Sequence, residues 1–108
     1  PQPRMAPGER FKSLVDEHFG ECFFWTKASL LYLIGQHPDD GWLEIVQRAM
    51  HDSEPIVRET ASWALAYLNP PDLRRTLLSQ ADDPNESVRD VIAALLATFA
   101  PRPSPQEP

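Results

Sequence analysis

The sequence predicts an all-α protein, folded as a right-handed α-solenoid of about two and a half to three helical hairpins with about six helices. The stretch DSEPIVRETASWALAYL at residues 52–68 returns as DPNESVRDVIAALLATF at residues 83–99. A period in the low thirties with two helices per period is typical of stacked hairpins, because each hairpin buries one face against its neighbour. The alternation of apolar and polar residues expected of β-strands is absent.

The prolines separate the predicted helices. Those near the two ends predict a disordered leader at residues 1–8 and a disordered tail at residues 101–108, on either side of a single domain at 9–100. The others fall between periodic segments, where proline stops one helix or starts the next. The predicted helices cover about residues 9–19, 21–36, 40–51, 55–68, 71–81 and 86–100. Three of them follow capping candidates, which are Asp39 or Asp40, Asp52 or Ser53, and Asp83 or Asn85.

Helical spacing identifies the buried faces. One apolar stripe of the fourth helix consists of Val57, Ala61, Ala64, Leu65 and Leu68. Its counterparts in the later copy are Val88, Ile92, Leu95, Leu96 and Phe99. A fainter third copy is predicted upstream at a slightly longer shift, which aligns Ala28 and Ser29 with Ala61 and Ser62.

The composition fits one soluble domain. Of 108 residues, 42% are hydrophobic and 24% are charged, which is ordinary for a globular protein. The net charge is −6, whereas a phosphate-binding surface normally has a basic excess, so nucleic acid is not an expected partner. Residues 22–35 are too short and too polar to insert into a membrane. The first residues, PQPRMAPGER, lack the apolar region of a signal peptide, so the expected location is the cytoplasm. The start at Pro1, with the first methionine at Met5, predicts an excised piece, which would then be the cytoplasmic part of a larger protein.

The repeated segment resembles short HEAT-like repeats of the phycobilisome-lyase-like kind. Their signature is an Asp, a spacer, a Val-Arg pair and then Ala- and Leu-rich positions. One copy reads Asp52, Val57-Arg58, Ala61 and Ala64-Leu65, and the other reads Asp83, Val88-Arg89, Ile92 and Leu95-Leu96. The resemblance covers residues 22–100 at most. It implies the fold more than the function, because such repeats serve many roles.

A narrower likeness concerns the segments WTKASLLYLIG and VRETASWAL. They are similar to parts of large bacterial membrane proteins in which HEAT-like repeats adjoin cyclic-nucleotide-binding modules. Similar repeats also end some tRNA-modifying reductases. The likeness therefore implies a fragment of a larger bacterial multidomain protein.

The titratable residues do not form a catalytic or metal-binding pattern, so we predict neither an enzyme nor a cofactor. The three histidines lack the spacing of a metal site. Cys22 follows His18 by four residues, but Gly20 is expected to break the helix between them. The residues that recur in register, Asp52 with Arg58 and Asp83 with Arg89, are interpreted as a structural ladder of helix caps and ion pairs.

The best candidate for a binding surface is the face opposite the apolar stripes, where the second helices of stacked hairpins line a groove. The candidate residues are Thr26, Ser29, Leu33, Glu59, Ser62, Trp63, Ala66 and Asp90. Small side chains would let a partner helix approach closely, and the carboxylates would make the groove acidic. Trp63 and Tyr67 either pack between repeats or contact a ligand. The aromatic run at 23–25 either caps the first helix or forms a partner-binding patch.

The predicted function is a non-catalytic protein-interaction or spacer module whose shallow groove accepts a helix or peptide of a protein partner. Two alternatives remain open at this point. One is a lyase- or chaperone-like accessory subunit that assists the attachment of a cofactor or pigment. The other is an accessory domain of a tRNA-modifying enzyme, which the negative net charge argues against.

Overall fold

The computed structural model describes residues 7–99, except for the side chain of residue 7, and these residues form six α-helices. The helices are α1 (Pro7–His18), α2 (Phe24–Gln36), α3 (Leu43–Ala49), α4 (Pro55–Leu68), α5 (Leu73–Ser79) and α6 (Glu86–Phe99). Two 3₁₀ turns, Phe19–Glu21 and Asp40–Trp42, lie after α1 and before α3. Residues 7–99 contain no strand. The all-α prediction with about six helices is therefore confirmed.

Local chemistry explains where the helices start and end. Asp39 accepts a 2.8 Å hydrogen bond from the Gly41 amide, and this bond holds the 3₁₀ turn that delays the start of α3. Asn69 ends α4 in the left-handed conformation with φ of 51°, which an Asn tolerates better than most residues. Helix α1 begins at Pro7, so residues 7 and 8 belong to a helix and not to the predicted leader. The remaining predicted leader, residues 1–6, and the predicted tail lie outside the described residues.

The repeat has one uniform period. Helices α2, α4 and α6 begin at Phe24, Pro55 and Glu86, which are evenly spaced along the chain. The longer shift predicted for the first copy is therefore wrong, because it would align Ser29, which is exposed, with Ser62, which is fully buried. The turn between the first two hairpins holds no extra residues in this register. Under the uniform spacing, the equivalent positions in successive hairpins include Lys27, Arg58 and Arg89.

The helices pack in the stacked arrangement that the repeat predicts. Helix α4 lies between α2 and α6, while α3 packs on α4 and α5 packs on α6. The largest fully buried side chains are Leu31, Ile45, Met50, Leu65, Leu77 and Ile92. Each such side chain stabilises the fold by roughly 1.5–3 kcal/mol on burial. Within residues 7–99, none of the helices combines the length and apolar character needed to cross a membrane.

Candidate protein-binding face

An ion pair joins the second and third hairpins. The Arg58 guanidinium donates from Nε and Nη2 to the two carboxylate oxygens of Asp83, at 2.9 and 3.0 Å. Asp83 stands three residues before α6, and its Oδ1 also accepts from the Asn85 amide. Both side chains are largely buried. A fork of this kind fixes the angle between two groups as well as their distance.

The first and second hairpins are joined in the same way. Lys27 Nζ donates to Asp52 Oδ2 at 2.6 Å. Lys27 is the equivalent of Arg58, and each base pairs with the acid 25 residues further along the chain. The ladder therefore runs from each hairpin to the next. Asp52 meets Arg58 of its own hairpin only through its backbone carbonyl, at 2.9 Å.

The buried fork changes the ionisation of both partners. The hydrogen bond from Arg58 lowers the pKa of Asp83, against the opposing effect of burial. The hydrogen bond to Asp83 raises the pKa of Arg58. Both groups are charged at neutral pH, so this pair is a structural clamp and not an acid–base couple.

An aromatic strip crosses the exposed face of the second helices. The ring of Tyr32 on α2 stacks on Trp63 of α4 at a centroid distance of 5.1 Å and an interplanar angle of 12°. Trp63 contacts Tyr67 at 4.9 Å, and Tyr67 meets Phe99 of α6 edge-on at 5.3 Å. The strip therefore links all three hairpins. Of its members, Tyr32 and Tyr67 are about half exposed.

Trp63 reaches this position because α2 has a glycine beneath it. A Cβ atom at Gly35 would overlap the six-membered ring of Trp63. The ring therefore lies directly on the backbone of α2, with Tyr32 one turn away on the same helix. Of the two predicted roles for Trp63, packing between repeats is the one that the contacts show.

Next to the strip is a shallow acidic depression. It has a volume of about 260 Å³ and is lined by Tyr32, Glu59, Thr60, Trp63 and Val91. Glu59 accepts a 2.9 Å hydrogen bond from the Ser87 hydroxyl of α6, which holds its carboxylate at the edge of the depression. The surface thus offers flat aromatic rings beside a fixed negative charge.

The predicted groove residues separate into three groups. Glu59 and Trp63 line the depression, and Asp90 is exposed on α6 at the position equivalent to Glu59. Ser62 and Ala66 are fully buried, so they do not line a groove. Helical spacing places them on the flank of α4 that carries Arg58 and Glu59, which bond to the segment at 83–87. Small side chains there let α4 and α6 lie close together.

The predicted residues on α2 lie on two different flanks of the helix. Ser29 is exposed, three residues from Tyr32. Leu33 lies away from the aromatic strip, in an apolar depression of about 220 Å³ between α1 and α2 that Phe11 and Trp42 also line. Thr26 lies two turns before Leu33 and shares its flank. Sequence reasoning missed Tyr32, although it is the equivalent of Trp63 once the period is taken as uniform.

The aromatic run at the start of α2 is largely outside the core. Phe23 and Trp25 are 67% and 58% exposed, whereas Phe24 packs against the core. Of this run only Phe24 packs against the core, so the predicted cap on α1 does not include Phe23 or Trp25. Trp25 lies seven residues before Tyr32, so its ring is on the same face of α2 as the aromatic strip.

Within residues 7–99, no group of three or more His, Cys, Asp and Glu side chains could hold a metal ion. Cys22 is half-buried, and its thiol donates to the His18 carbonyl at 3.5 Å and not to the imidazole. Helix α1 ends at His18, and the 3₁₀ turn Phe19–Glu21, which contains Gly20, follows it directly.

Comparison with known proteins agrees with this geometry. The family model for HEAT repeats matches residues 14–105. Among curated proteins and among solved structures, none matches this chain.

Proposed function

We propose that this chain, which belongs to the HEAT-repeat family, binds a protein partner on the exposed face of α2, α4 and α6. HEAT repeats generally serve as protein-interaction scaffolds. The partner we propose is a helix or extended peptide with apolar side chains for the aromatic strip and a basic side chain for Glu59. The chain takes part as a binding module and carries no catalytic step. We further propose that it is one module of a larger protein.

One observation carries this proposal: the aromatic strip joins three helices and still exposes its rings. Tyr32 and Tyr67 are 51% and 47% exposed although both contact Trp63. Rigid aromatic side chains are enriched at the centres of protein interfaces, because they bury a large area while losing little side-chain entropy. The Glu59 carboxylate, held by Ser87, adds a directional contact for a Lys or Arg.

The test compares capture of partners by variants of this face. The purified chain is immobilised and exposed to lysate of the source organism, beside the variants Glu59→Lys and Tyr67→Ala. Both side chains lie on the exposed face, and neither belongs to the buried core. We expect each variant to weaken binding of the captured protein by about tenfold, as for interface residues near a hot spot.

The matched control is Glu44→Lys on α3, which makes the same change of charge at an exposed position outside the strip. It should bind as the unchanged chain does. Circular dichroism first establishes that each variant is folded. A captured protein that binds equally to all variants would remove this face from consideration.

A second measurement follows binding at Trp63 itself. The chain has three tryptophans, Trp25, Trp42 and Trp63. In a chain with Trp25→Phe and Trp42→Phe, the emission of the remaining tryptophan should shift to shorter wavelength when the captured partner is added, because the ring loses contact with water. An unchanged spectrum at saturation would place the partner elsewhere.

A further inference from the structure

Each hairpin has a forward side, which faces the next hairpin along the chain, and a back side, which faces the preceding one. Lys27 and Arg58 lie on forward sides, because each pairs with the acid of the next hairpin. The acids, Asp52 and Asp83, stand three residues before the second helix of their own hairpin and face back. Because the period is uniform, each internal contact has an equivalent position at the two ends of the stack.

The forward end, formed by α5 and α6, carries the equivalents of buried interface residues. Arg89 is the equivalent of Arg58 and makes the same bond to its own turn, donating to the Asp83 carbonyl at 2.8 Å. Within residues 7–99 its other guanidinium nitrogens have no hydrogen-bonding partner. Ala93 and Ala97 are exposed, although they correspond to Ser62 and Ala66, which are fully buried.

Helix α5 lies beside this end. Arg74, Arg75 and Asp72 line one shallow depression with Leu78, and Arg75 pairs with Asp72 at 3.6 Å. The equivalents of Leu78 inside the stack, Gln47 and Asp16, are exposed, so this depression lies at the rim of the forward end. The forward end itself therefore combines the small side chains of α6 with the Arg89 guanidinium.

The opposite end, formed by α1 and α2, is complementary in charge. Glu21 stands three residues before α2, the position that Asp52 and Asp83 hold before α4 and α6. Its side chain is 76% exposed, and its partner within residues 7–99 is a long 3.4 Å contact with His18. Glu17 is the equivalent of Arg48, whose side chain faces Asp16 of the preceding hairpin. Glu17 is therefore a second acidic residue at this end.

Apolar positions at this end also match. Leu33 is 52% exposed, whereas its equivalents Ala64 and Leu95 are buried. Leu14 is 50% exposed, whereas its equivalent Ile45 is buried. Both lie where a preceding hairpin would cover them.

We propose that the forward end of one copy of this chain stacks on the α1–α2 end of a second copy, with Arg89 of the first pairing with Glu21 of the second. The pairing continues the Lys27–Asp52 and Arg58–Asp83 ladder across the junction. The contact uses two different surfaces, so it leaves a free end on each side and builds open-ended chains. It uses neither the aromatic strip nor the acidic depression and is independent of the proposed partner binding.

The test is sedimentation velocity on the full chain over a range of concentrations. We expect reversible, concentration-dependent association that weakens as salt is added, because ion pairs at an exposed junction are screened. Arg89→Glu and Glu21→Arg should each weaken association by about tenfold. The double variant should recover it, and so should an equimolar mixture of the two single variants, in which unlike ends meet.

The control variants separate this junction from other modes of association. Glu44→Lys changes the net charge as much as Glu21→Arg does, and Tyr67→Ala alters the aromatic strip; both should associate as the unchanged chain does. A chain that stays monomeric at all concentrations overturns the proposal. Association that neither single variant weakens, or that the double variant does not recover, overturns it as well.

Discussion

At the scale of single residues, the Arg58–Asp83 fork joins two hairpins by a bidentate, buried ion pair. Two charged hydrogen bonds replace the water that both groups lose, and the Asp83 side chain retains 3% of its exposure. A buried ion pair contributes little against an apolar alternative, yet removing one partner is costly because the other charge stays buried. The fork therefore acts mainly by fixing the register of α4 against the turn before α6.

Removing Arg58 tests how costly it is to leave the Asp83 charge buried without its partner. Arg58→Ala leaves the Asp83 carboxylate buried without its cation, and we expect the free energy of unfolding to fall by about 3 kcal/mol. Arg75→Ala is the matched control, because Arg75 forms a 3.6 Å pair with Asp72 while its own side chain is 84% exposed. That pair should contribute less than about 1 kcal/mol. Urea unfolding measures both variants, and equal losses would contradict the clamp.

The same pair predicts how stability depends on pH. The pKa of Asp83 is lower in the folded chain than in the unfolded chain, because Arg58 donates to its carboxylate. The pair's contribution is therefore complete above the unfolded pKa of about 4 and is lost as the pH falls through the folded pKa. Unfolding midpoints measured from about pH 6 down to about pH 2 should fall more steeply for the unchanged chain than for Asp83→Asn. Parallel curves would contradict the prediction.

At the scale of elements, α4 is the helix on which the stack depends. It packs against α2, α3 and α6, and its surface is divided accordingly. One flank carries Ser62 and Ala66 close to α6, and the outward face carries Trp63, which lies on Gly35 of α2. Small residues on α4 and on α2 thus set the spacing of the second helices.

Gly35→Ala tests how closely α2 and α4 must approach. Alanine improves helix propensity by about 1 kcal/mol, but its methyl group overlaps the Trp63 ring. We expect a net loss of about 1–2 kcal/mol as the ring is displaced, together with a red shift of emission in the chain whose only tryptophan is Trp63. Gly8→Ala in α1, where nothing lies within 4 Å of the new methyl group, is the control and should not destabilise the chain. A Gly35→Ala chain as stable as this control would contradict the close contact.

The sequence predicts the elements better than it predicts the face. The bounds of α4 are predicted to the residue because Pro55 starts it and the apolar stripe is unbroken. The α3 and α5 helices are shorter than predicted, since each follows a turn that the periodicity does not reveal. Ser62 has the residue type of a surface position, but its hydroxyl donates to the Arg58 carbonyl and so can be buried.

The first hairpin shows why the site could be predicted only in part. Its second helix shares few residue types with α4, so composition alone does not fix the shift. At the equivalent positions, Lys27 replaces an arginine and Tyr32 replaces a tryptophan. The two helices share charge and aromatic character at these positions instead of identical residues. The contacts show this similarity, whereas a search for identical residues does not find it.

At the scale of the whole molecule, the stack is a nearly one-dimensional array in which each hairpin contacts its neighbours. Stability in such an array is a sum of hairpin terms and junction terms. The central hairpin takes part in two junctions. The first hairpin takes part in one. Its helix α1 is held by a 2.9 Å ion pair between Lys12 and Asp39 and by an edge contact between Phe11 and Trp42. The middle of the chain should therefore open last.

Amide hydrogen exchange tests this order. We expect the slowest exchange in α4 and the fastest in α1, where Leu14 is half exposed. Leu65→Ala, in the fully buried centre of α4, should cost about 2–5 kcal/mol and speed exchange in α2 and α6 as well, because α4 packs against both of these helices. Leu14→Ala should alter exchange in α1 alone. If Leu65→Ala speeds exchange in α4 but leaves α6 unchanged, the hairpins open independently and the coupling through α4 is absent.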